Sequence, residues 1–94
     1  GVWAVETEGP QRATSKLFFR CPAGAELCGP EFTPDLETLF VAIQHPGEAD
    51  EDDPKAASAT FENPSTRWPD FKAGIPPRPS IVVVTRRGGG KIGA

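Results

Sequence analysis

Proline and glycine recur along the whole chain, with eleven and ten copies respectively among 94 residues. Proline lacks the backbone N–H and clashes with the preceding helical turn, and glycine loses more backbone entropy on ordering than any other residue. Long helices are therefore excluded, and the sequence predicts a mainly β chain of short strands joined by turns. An apolar fraction of 37% and a charged fraction of 24% are typical of one small folded domain.

The net charge and the apolar pattern argue against nucleic-acid binding and against a membrane-spanning helix. The net charge is −3, so the chain lacks the positive field that attracts nucleic acid. No segment approaches the ~20 consecutive apolar residues that a membrane-spanning helix requires. We therefore expect neither a nucleic-acid partner nor a membrane span.

Two hairpins are predicted in the first half of the chain. Residues 2–7, "VWAVET", and residues 16–21, "KLFFRC", have the composition and spacing of paired strands. A short strand around residues 31–32 precedes a longer one at residues 38–44. The turn between them contains Pro34, which presets φ, and Asp35, whose side chain can bond the backbone beyond it.

Two segments are apolar at every position, namely "LFVAI" at residues 39–43 and "IVVV" at residues 81–84. Such strands are usually covered on both faces, so we expect them in the interior of a sheet. The segment "RRGGGK" lacks the spacing of a phosphate-binding loop and predicts a hairpin turn, followed by an edge strand at residues 91–93. The result is a four-stranded antiparallel meander with a long irregular insertion.

The insertion covers residues 46–79, which is unusually long for a loop in a compact domain. Its acidic run at residues 50–53 lacks the alternating ligand spacing of a calcium loop, so solvated charge is the favoured interpretation. In the second half, Phe61, Trp68 and Phe71 offer enough apolar area to lie on the sheet. The alternative is that Trp68 and Phe71 are exposed, and they are then candidates for binding a protein partner.

His45 is the only histidine, and no nucleophile motif accompanies it, so a self-contained catalytic triad is disfavoured. Its place after an apolar strand favours a bond to the backbone at the strand end, with a role at a ligand site as the alternative. Cys21 and Cys28 are too few for a disulfide scaffold. Whether they form one loop-closing disulfide or remain free is left open by the sequence.

Several segments together resemble the C-terminal part of the PhoX-type alkaline phosphatases, a bacterial family also catalogued as a domain of unknown function. They are "GVWAVETEGP", "SKLFFRCPAGAELCGPEFTPDLETLFVAIQHPGE", "TFENPSTRWPDF" and "GIPPRPSIVVVTRRGGGKIG". The most distinctive parts are "GPEFTPD", "TLFVAIQHPGE" and "STRWPDF". The resemblance covers almost the whole chain.

The resemblance implies a fragment of a larger β-propeller, in which each blade is a four-stranded antiparallel meander. Residues 1–22 would be outer strands of one blade, 23–45 the first hairpin of the last blade, 46–79 an insertion and 80–94 the last strands. The missing upstream blades of the same chain would then be its natural partners. Without them, we expect the fragment to self-associate through its sheet faces or edges.

The resemblance also implies phosphomonoester hydrolysis that depends on calcium and iron held by carboxylates at the propeller channel. Glu26 stands where the family carries such a carboxylate, and Gln44 and His45 are weaker candidate ligands. The remaining ligands would lie outside these residues, so the fragment alone would be inactive. Twin-arginine export to the periplasm or medium is implied too. The alternative is a non-enzymatic propeller module that binds a protein partner through residues 46–79.

Overall fold

The computed structural model describes residues 1–93, so the last residue of the predicted segment 80–94 lies outside the described part. In this part the chain is mainly β, with two antiparallel sheets and no helix, and hence no helix able to span a membrane. The strands are β1 (Val2–Val5), β2 (Ser15–Phe19), β3 (Glu26–Phe32), β4 (Thr38–Gln44) and β5 (Ser80–Thr85). The strand order is β1-β2 in one sheet and β3-β4-β5 in the other. The predicted β class is confirmed, whereas a four-stranded blade is not seen.

The first hairpin, β1-β2, forms close to the predicted place. Its register pairs Val5 with Ser15 and Ala4 with Lys16, and it becomes irregular between Val2 and Trp3. Two backbone hydrogen bonds extend the pairing beyond β1, from Glu6 N to the Thr14 carbonyl (3.1 Å) and from the Ala13 N to the Glu6 carbonyl (2.7 Å). The pairing thus reaches Glu6, which lies within the predicted strand at residues 2–7.

The turn between β3 and β4 is built as the sequence predicts. The Asp35 carboxylate accepts hydrogen bonds from the Thr33 hydroxyl (2.6 Å) and from the Glu37 backbone N–H (3.0 Å). These two bonds, the first being the stronger influence, lower the pKa of the Asp35 carboxyl. Because Thr33 N also donates to the Thr38 carbonyl (2.9 Å), the side chain and the backbone close the same turn.

β3 is longer than predicted, because it already begins at Glu26. The sequence around Gly29 and Pro30 reads as a break between elements. In the structure, however, the register with β4 shifts between Cys28 and Glu31, and pairing resumes after the shift. An irregularity of this kind accommodates a Gly with positive φ and a Pro without ending the strand.

The core lies on one face of β4, where Leu39, Val41 and Ile43 are at most 2% exposed. On the opposite face, β4 and β5 present the apolar side chains of Phe40, Ala42, Ile81 and Val83, which we call the open face. Cross-strand pairing places Phe40 beside Val83 and Ala42 beside Ile81. Ile81 and Val83 are 63% and 56% exposed. The expectation that both faces of these strands are covered is therefore wrong for the described chain, because residues 1–93 supply a layer for one face.

The predicted edge strand at residues 91–93 is absent, so the described sheet has three strands rather than four. Gly88, Gly89 and Gly90 all have positive φ, and the Gly89 N–H donates to the Arg86 carbonyl (3.0 Å). This turn directs the chain towards the β3-β4 turn, where Ile92 N donates to the Leu36 carbonyl (3.0 Å). Residues 91–93 therefore make one hydrogen bond to the β3-β4 turn, in place of the predicted strand pairing beside β5.

Residues 46–79 contain neither strand nor helix, which confirms the long irregular insertion. Arginine side chains organise its second half. Arg67 donates to the carbonyls of Glu62 (3.0 Å) and Ile75 (3.3 Å), and Arg78 makes a two-pronged pair with Asp70 at 2.9 and 3.0 Å. Bonds of this bidentate kind combine charge with fixed geometry. The insertion is therefore held by polar contacts more than by its aromatic residues.

The three aromatic residues of the insertion differ in their burial, and the prediction that they lie on the sheet requires all three to be covered. Trp68 is half-buried, but Phe61 and Phe71 are 89% and 70% exposed. Phe71 has a φ of 51° and donates its N–H to the Arg67 carbonyl (2.8 Å). The prediction is wrong for Phe61 and Phe71, since polar bonds rather than apolar burial determine the path of the chain here.

The acidic run folds back on its own backbone. The Asp50 carboxylate accepts the Asp52 N–H (3.0 Å), the Asp53 carboxylate accepts the Lys55 N–H (2.9 Å), and Ala56 beside them is fully buried. No group of three His, Cys, Asp or Glu side chains within residues 1–93 is arranged to hold a metal ion. Local turn formation by solvated carboxylates accounts for this run.

Gly47 joins the insertion to the rest of the protein. Its N–H donates to the Ala23 carbonyl (2.9 Å), and its carbonyl accepts from Ser65 N (3.2 Å). Its φ is +83°, and an added Cβ would lie 2.6 Å from the Pro77 Cγ and 2.8 Å from the Thr66 carbonyl oxygen. Both the backbone conformation and the space at this position require glycine.

We predict that Gly47→Ala lowers the free energy of unfolding much more than Gly74→Ala. Gly74 has a similar φ of +79°, but nothing lies within 4 Å of its added Cβ. Gly74→Ala therefore measures the cost of the backbone conformation, about 1 kcal/mol, and Gly47→Ala adds a steric cost of about 1 to 3 kcal/mol. Urea unfolding at one protein concentration checks this, and equal costs would contradict the close packing at Gly47.

Candidate functional site

The three candidate ligands lie at one end of the three-stranded sheet. Glu26 is the first residue of β3, Gln44 is the last residue of β4, and the two are directly paired across the strands. His45 follows Gln44 immediately. The structure therefore brings together the candidates Glu26, Gln44 and His45, whereas Trp68 and Phe71 lie apart in the insertion.

The His45 ring contacts three oxygen-bearing groups. Its Nδ1 lies 3.1 Å from the Gly24 carbonyl oxygen and 2.8 Å from a Glu48 carboxylate oxygen. Its Nε2 lies 3.5 Å from a Glu26 carboxylate oxygen. The prediction that His45 bonds the backbone at the strand end is confirmed. We call Glu26, His45 and Glu48 the acid-histidine cluster.

Glu48 and the Gly24 carbonyl were not among the predicted site groups. The spacing His-Pro-Gly-Glu could have indicated Glu48, because a turn at Pro46-Gly47 brings residues three apart close together. The backbone bond from the Glu48 N–H to the His45 carbonyl (3.3 Å) closes that turn. Gly24 could not have been found, since its contact with His45 depends on how two separate loops pack.

The Gly24 contact also shows how tightly these loops meet. A Cβ added to Gly24 would overlap the Glu48 carbonyl oxygen and lie 2.9 Å from the Ser65 hydroxyl oxygen. The absence of a side chain at Gly24 thus allows the loop before β3 to touch the loop after β4. This approach is what places a backbone carbonyl against the His45 ring.

The surroundings favour the protonated form of His45. The carbonyl of Gly24 is the main cause of the raised pKa of this ring, partial burial opposes the shift, and the carboxylates of Glu26 and Glu48 reinforce it. All three side chains of the acid-histidine cluster are well exposed, so solvent screens their attraction. The cluster therefore organises the end of the sheet more than it stabilises the fold.

Cys28 lies beside this cluster on β3 as a protonated thiol. Gln44 Nε2 donates to the Cys28 Sγ at 2.7 Å. Partial burial raises the pKa of the Cys28 thiol, and the nearby charge of Glu26 raises it further. A thiol with a raised pKa is a poor nucleophile. Cys28 is therefore unsuited to nucleophilic catalysis.

The structure resolves the question of a disulfide that the sequence leaves open. Cys21 and Cys28 are both free, and the Cys21 thiol donates to the Ala25 carbonyl at 3.3 Å. Cys28 is instead the acceptor for Gln44. The two thiols thus serve as half-buried side chains with separate local partners.

The residues present do not fit a complete calcium or iron site. Calcium requires six to eight oxygen ligands, whereas this end of the sheet offers the carboxylates of Glu26 and Glu48 with a histidine ring between them. The amide nitrogen of Gln44 is engaged by Cys28, which leaves one amide oxygen. Glu26 as a metal ligand therefore stays a prediction, and its remaining partners would have to come from other residues.

The acid-histidine cluster also lacks the arrangement of a self-contained catalyst. A nucleophile must lie within hydrogen-bond reach of its base. In residues 1–93, both nitrogens of the His45 ring are directed at carboxylates and at a carbonyl, not at a hydroxyl or thiol. A groove of about 440 Å³ beside His45 is lined mainly by proline, alanine and glycine, with Glu48 and Phe61 among its walls. The site is suited to holding charges in position.

We predict that the pKa of His45 lies above 6.5, the usual value for a histidine side chain. It can be measured from the proton NMR signals of this single histidine, in the presence of a chelator. Glu26→Gln and Glu48→Gln should each lower it by removing a negative neighbour, whereas Glu31→Gln should leave it unchanged. Because the folded-state pKa is raised, the stability that His45 adds is fully present below about pH 6.5 and is lost as pH rises through the folded-state value.

A His45→Gln variant should therefore unfold at lower urea concentration than the unmodified chain at about pH 5.5, and the difference should shrink by about pH 8. In thermal unfolding at about pH 5.5, the two chains should differ in Tm by only on the order of 2 °C, because the pairs of His45 with Glu26 and Glu48 are exposed. A difference that grows with rising pH would contradict the described cluster.

Three comparisons with known proteins bear on this site. The family model described as "Alkaline phosphatase PhoX" matches residues 1–47. The matched residues include β1 to β4 and all of Glu26, Gln44 and His45. No curated protein and no solved structure matches the chain.

Proposed function

The chain belongs to the PhoX alkaline phosphatase family, and on that basis we propose that it forms part of an enzyme that hydrolyses phosphomonoesters. The observation that carries the proposal is the family match over residues 1–47, half of the chain. This segment contains the hairpin β3-β4, which presents Glu26 at one sheet end. Glu26 is the residue that we propose as a ligand of the phosphatase metal centre.

We propose further that the activity requires parts of the protein beyond these residues, so the 94-residue chain alone is inactive. Phosphoryl transfer depends on groups that stabilise the charge of the transferring phosphate and on a positioned nucleophile. The acid-histidine cluster supplies negative charge and no such nucleophile. The proposed calcium and iron would need most of their ligands from elsewhere in the enzyme.

The open face supports the propeller architecture that we propose for the whole enzyme. Phe40, Ala42, Ile81 and Val83 form an apolar surface with no covering layer in the described residues. Stacked blades cover each other's faces in a propeller, and single repeats are unstable for lack of such neighbours. Upstream blades of the same protein are the proposed cover.

We also propose that the enzyme acts outside the cytoplasm after twin-arginine export.

The test is to assay the complete phosphatase that carries this chain with p-nitrophenyl phosphate, calcium and iron. Glu26→Ala should lower the activity at least about tenfold and reduce the bound metal measured by mass spectrometry. Glu31→Ala is the matched control, because Glu31 is also an exposed carboxylate on β3. Unchanged activity and metal content in the Glu26 variant would remove Glu26 from the site.

The second candidate function is a non-enzymatic module that binds a protein partner through residues 46–79. The observation that favours it is the 70% exposure of Phe71, three residues after the half-buried Trp68 in a loop that also carries charged side chains. Exposed aromatic residues supported by fixed backbone are common anchors at interfaces.

We predict that Phe71→Ser, under this second function, weakens capture of the partner at least about tenfold, whereas Phe61→Ser does not. Phe61 is the matched control because it is an exposed phenylalanine of the same insertion. Quantitative pull-down measures the capture, and the phosphatase assay on the same variants separates the two functions. Equal capture by both variants and the unmodified chain would count against partner binding at Phe71.

A further inference from the structure

The outer edge of β5 is unprotected. β5 pairs with β4 on one side, and no strand pairs with it on the other side within the described residues. Its sequence, Ser-Ile-Val-Val-Val-Thr, contains no charge and no proline. An uncharged, regular edge strand of this kind is a template for pairing with another strand.

The other edge of the same sheet differs. β3 carries Glu26 and Glu31, and it contains Pro30 within the register shift that follows Cys28. Charge, proline and irregular pairing are the features by which proteins prevent strand addition. Of the two edges of this sheet, β5 is therefore the one suited to association.

We propose that β5 pairs antiparallel with β5 of a second copy of this chain, giving a two-fold dimer with a continuous six-stranded sheet. A second copy is favoured because the edge is self-complementary: it is uncharged and β-branched along its length, as an isologous contact requires. The dimer does not depend on the proposed phosphatase activity.

Backbone geometry limits the register of this pairing. In an antiparallel ladder, residues alternate between directing their N–H and C=O to one neighbouring strand and to the other. A residue of β5 that directs its N–H and C=O towards the second copy must lie opposite a residue that does the same. A residue that directs them towards β4 must likewise lie opposite one that directs them towards its own β4. The numbers of two opposed residues must therefore differ by an even number. The same condition places opposed side chains on the same face, so the open faces of the two copies become continuous.

Charge then selects between the two registers with the longest overlap. With Val82 on the two-fold axis, Arg86 would lie opposite Arg78 of the second copy, and Thr85 would lie opposite Pro79, which has no N–H to donate. With Val83 on the axis, Arg86 lies opposite the neutral Ser80. Like charges opposite each other destabilise a sheet. The proposed register therefore has Val83 on the axis, with Ile81 opposite Thr85.

The proposed dimer predicts a specific pattern in sedimentation velocity of the 94-residue chain. The unmodified chain should shift from 10.0 kDa towards twice that mass as its concentration rises. Because five pairs form a small interface, the measurement should extend to about 0.5 mM. Val83→Lys should keep the chain monomeric, since two lysines would meet on the axis. An unmodified chain that stays monomeric over the whole range would overturn the proposal.

Two control variants locate the contact. Val5→Lys places the same change on β1 at a valine of equal exposure, 57% against 56%, and should leave the dimer intact. Phe40→Thr alters the open face on the central strand away from the edge and should also leave it intact. Loss of the dimer in the Phe40 variant would indicate face-to-face stacking, and loss in the Val5 variant would indicate β1; either result overturns pairing through β5. Circular dichroism of each variant verifies that it is folded.

Cysteine cross-linking tests the register. In a background with Cys21→Ser and Cys28→Ser, Val83→Cys should give a disulfide-linked dimer on mild oxidation, because Cα atoms opposed on the axis are about 4.5 to 5.5 Å apart. Val82→Cys should give much less, since its copies would not be opposed. Stronger cross-linking through position 82 would overturn the proposed register.

Discussion

One-sided burial of β4 is the constraint on which the rest of the structure depends. Leu39, Val41 and Ile43 are buried on one face, while Phe40 and Ala42 on the other face have no covering layer in the described residues. A core of this size limits the stability that a short chain can reach by itself. The open face of β4 needs a covering layer from other residues, which is why we propose cover by upstream blades of the same enzyme. The limited core also favours pairing with a second copy.

The two ends and two edges of the β3-β4-β5 sheet are chemically different, and this separates the proposed roles. At the end where β3 begins and β4 finishes, tight packing at Gly24 and Gly47 brings two loops together and creates the acid-histidine cluster. β5 itself contains no charged residue, and arginines lie only beyond its ends. The carboxylates thus lie where a metal ligand is proposed, away from the strand for which pairing is proposed.

Local chemistry predicted those features that few neighbouring residues decide. The Pro34-Asp35 turn and the strand that ends at Gln44 both formed, because each depends on the conformational preferences of a few adjacent residues. The backbone bond of His45 formed as predicted too, but its partner Gly24 depends on the packing of two separate loops. The prediction failed for residues 91–93, where three successive glycines with positive φ turn the chain away from β5. It failed for Phe71 as well, because the path of the insertion follows the polar bonds of Arg67 and Arg78, which an apolar pattern in the sequence does not reveal.

By itself, the sequence determined the β class, the places of the hairpins and the resemblance that identifies Glu26 as the leading candidate. Proline, glycine and β-branched residues act on the backbone within a few positions, so their effect can be read along the chain. Only the tertiary structure decided that His45 lies between Glu26 and Glu48, that β4 is covered on one face, and that β5 keeps a free edge. Each of these depends on which distant segments meet, and apolar runs such as "LFVAI" are compatible with more than one such arrangement.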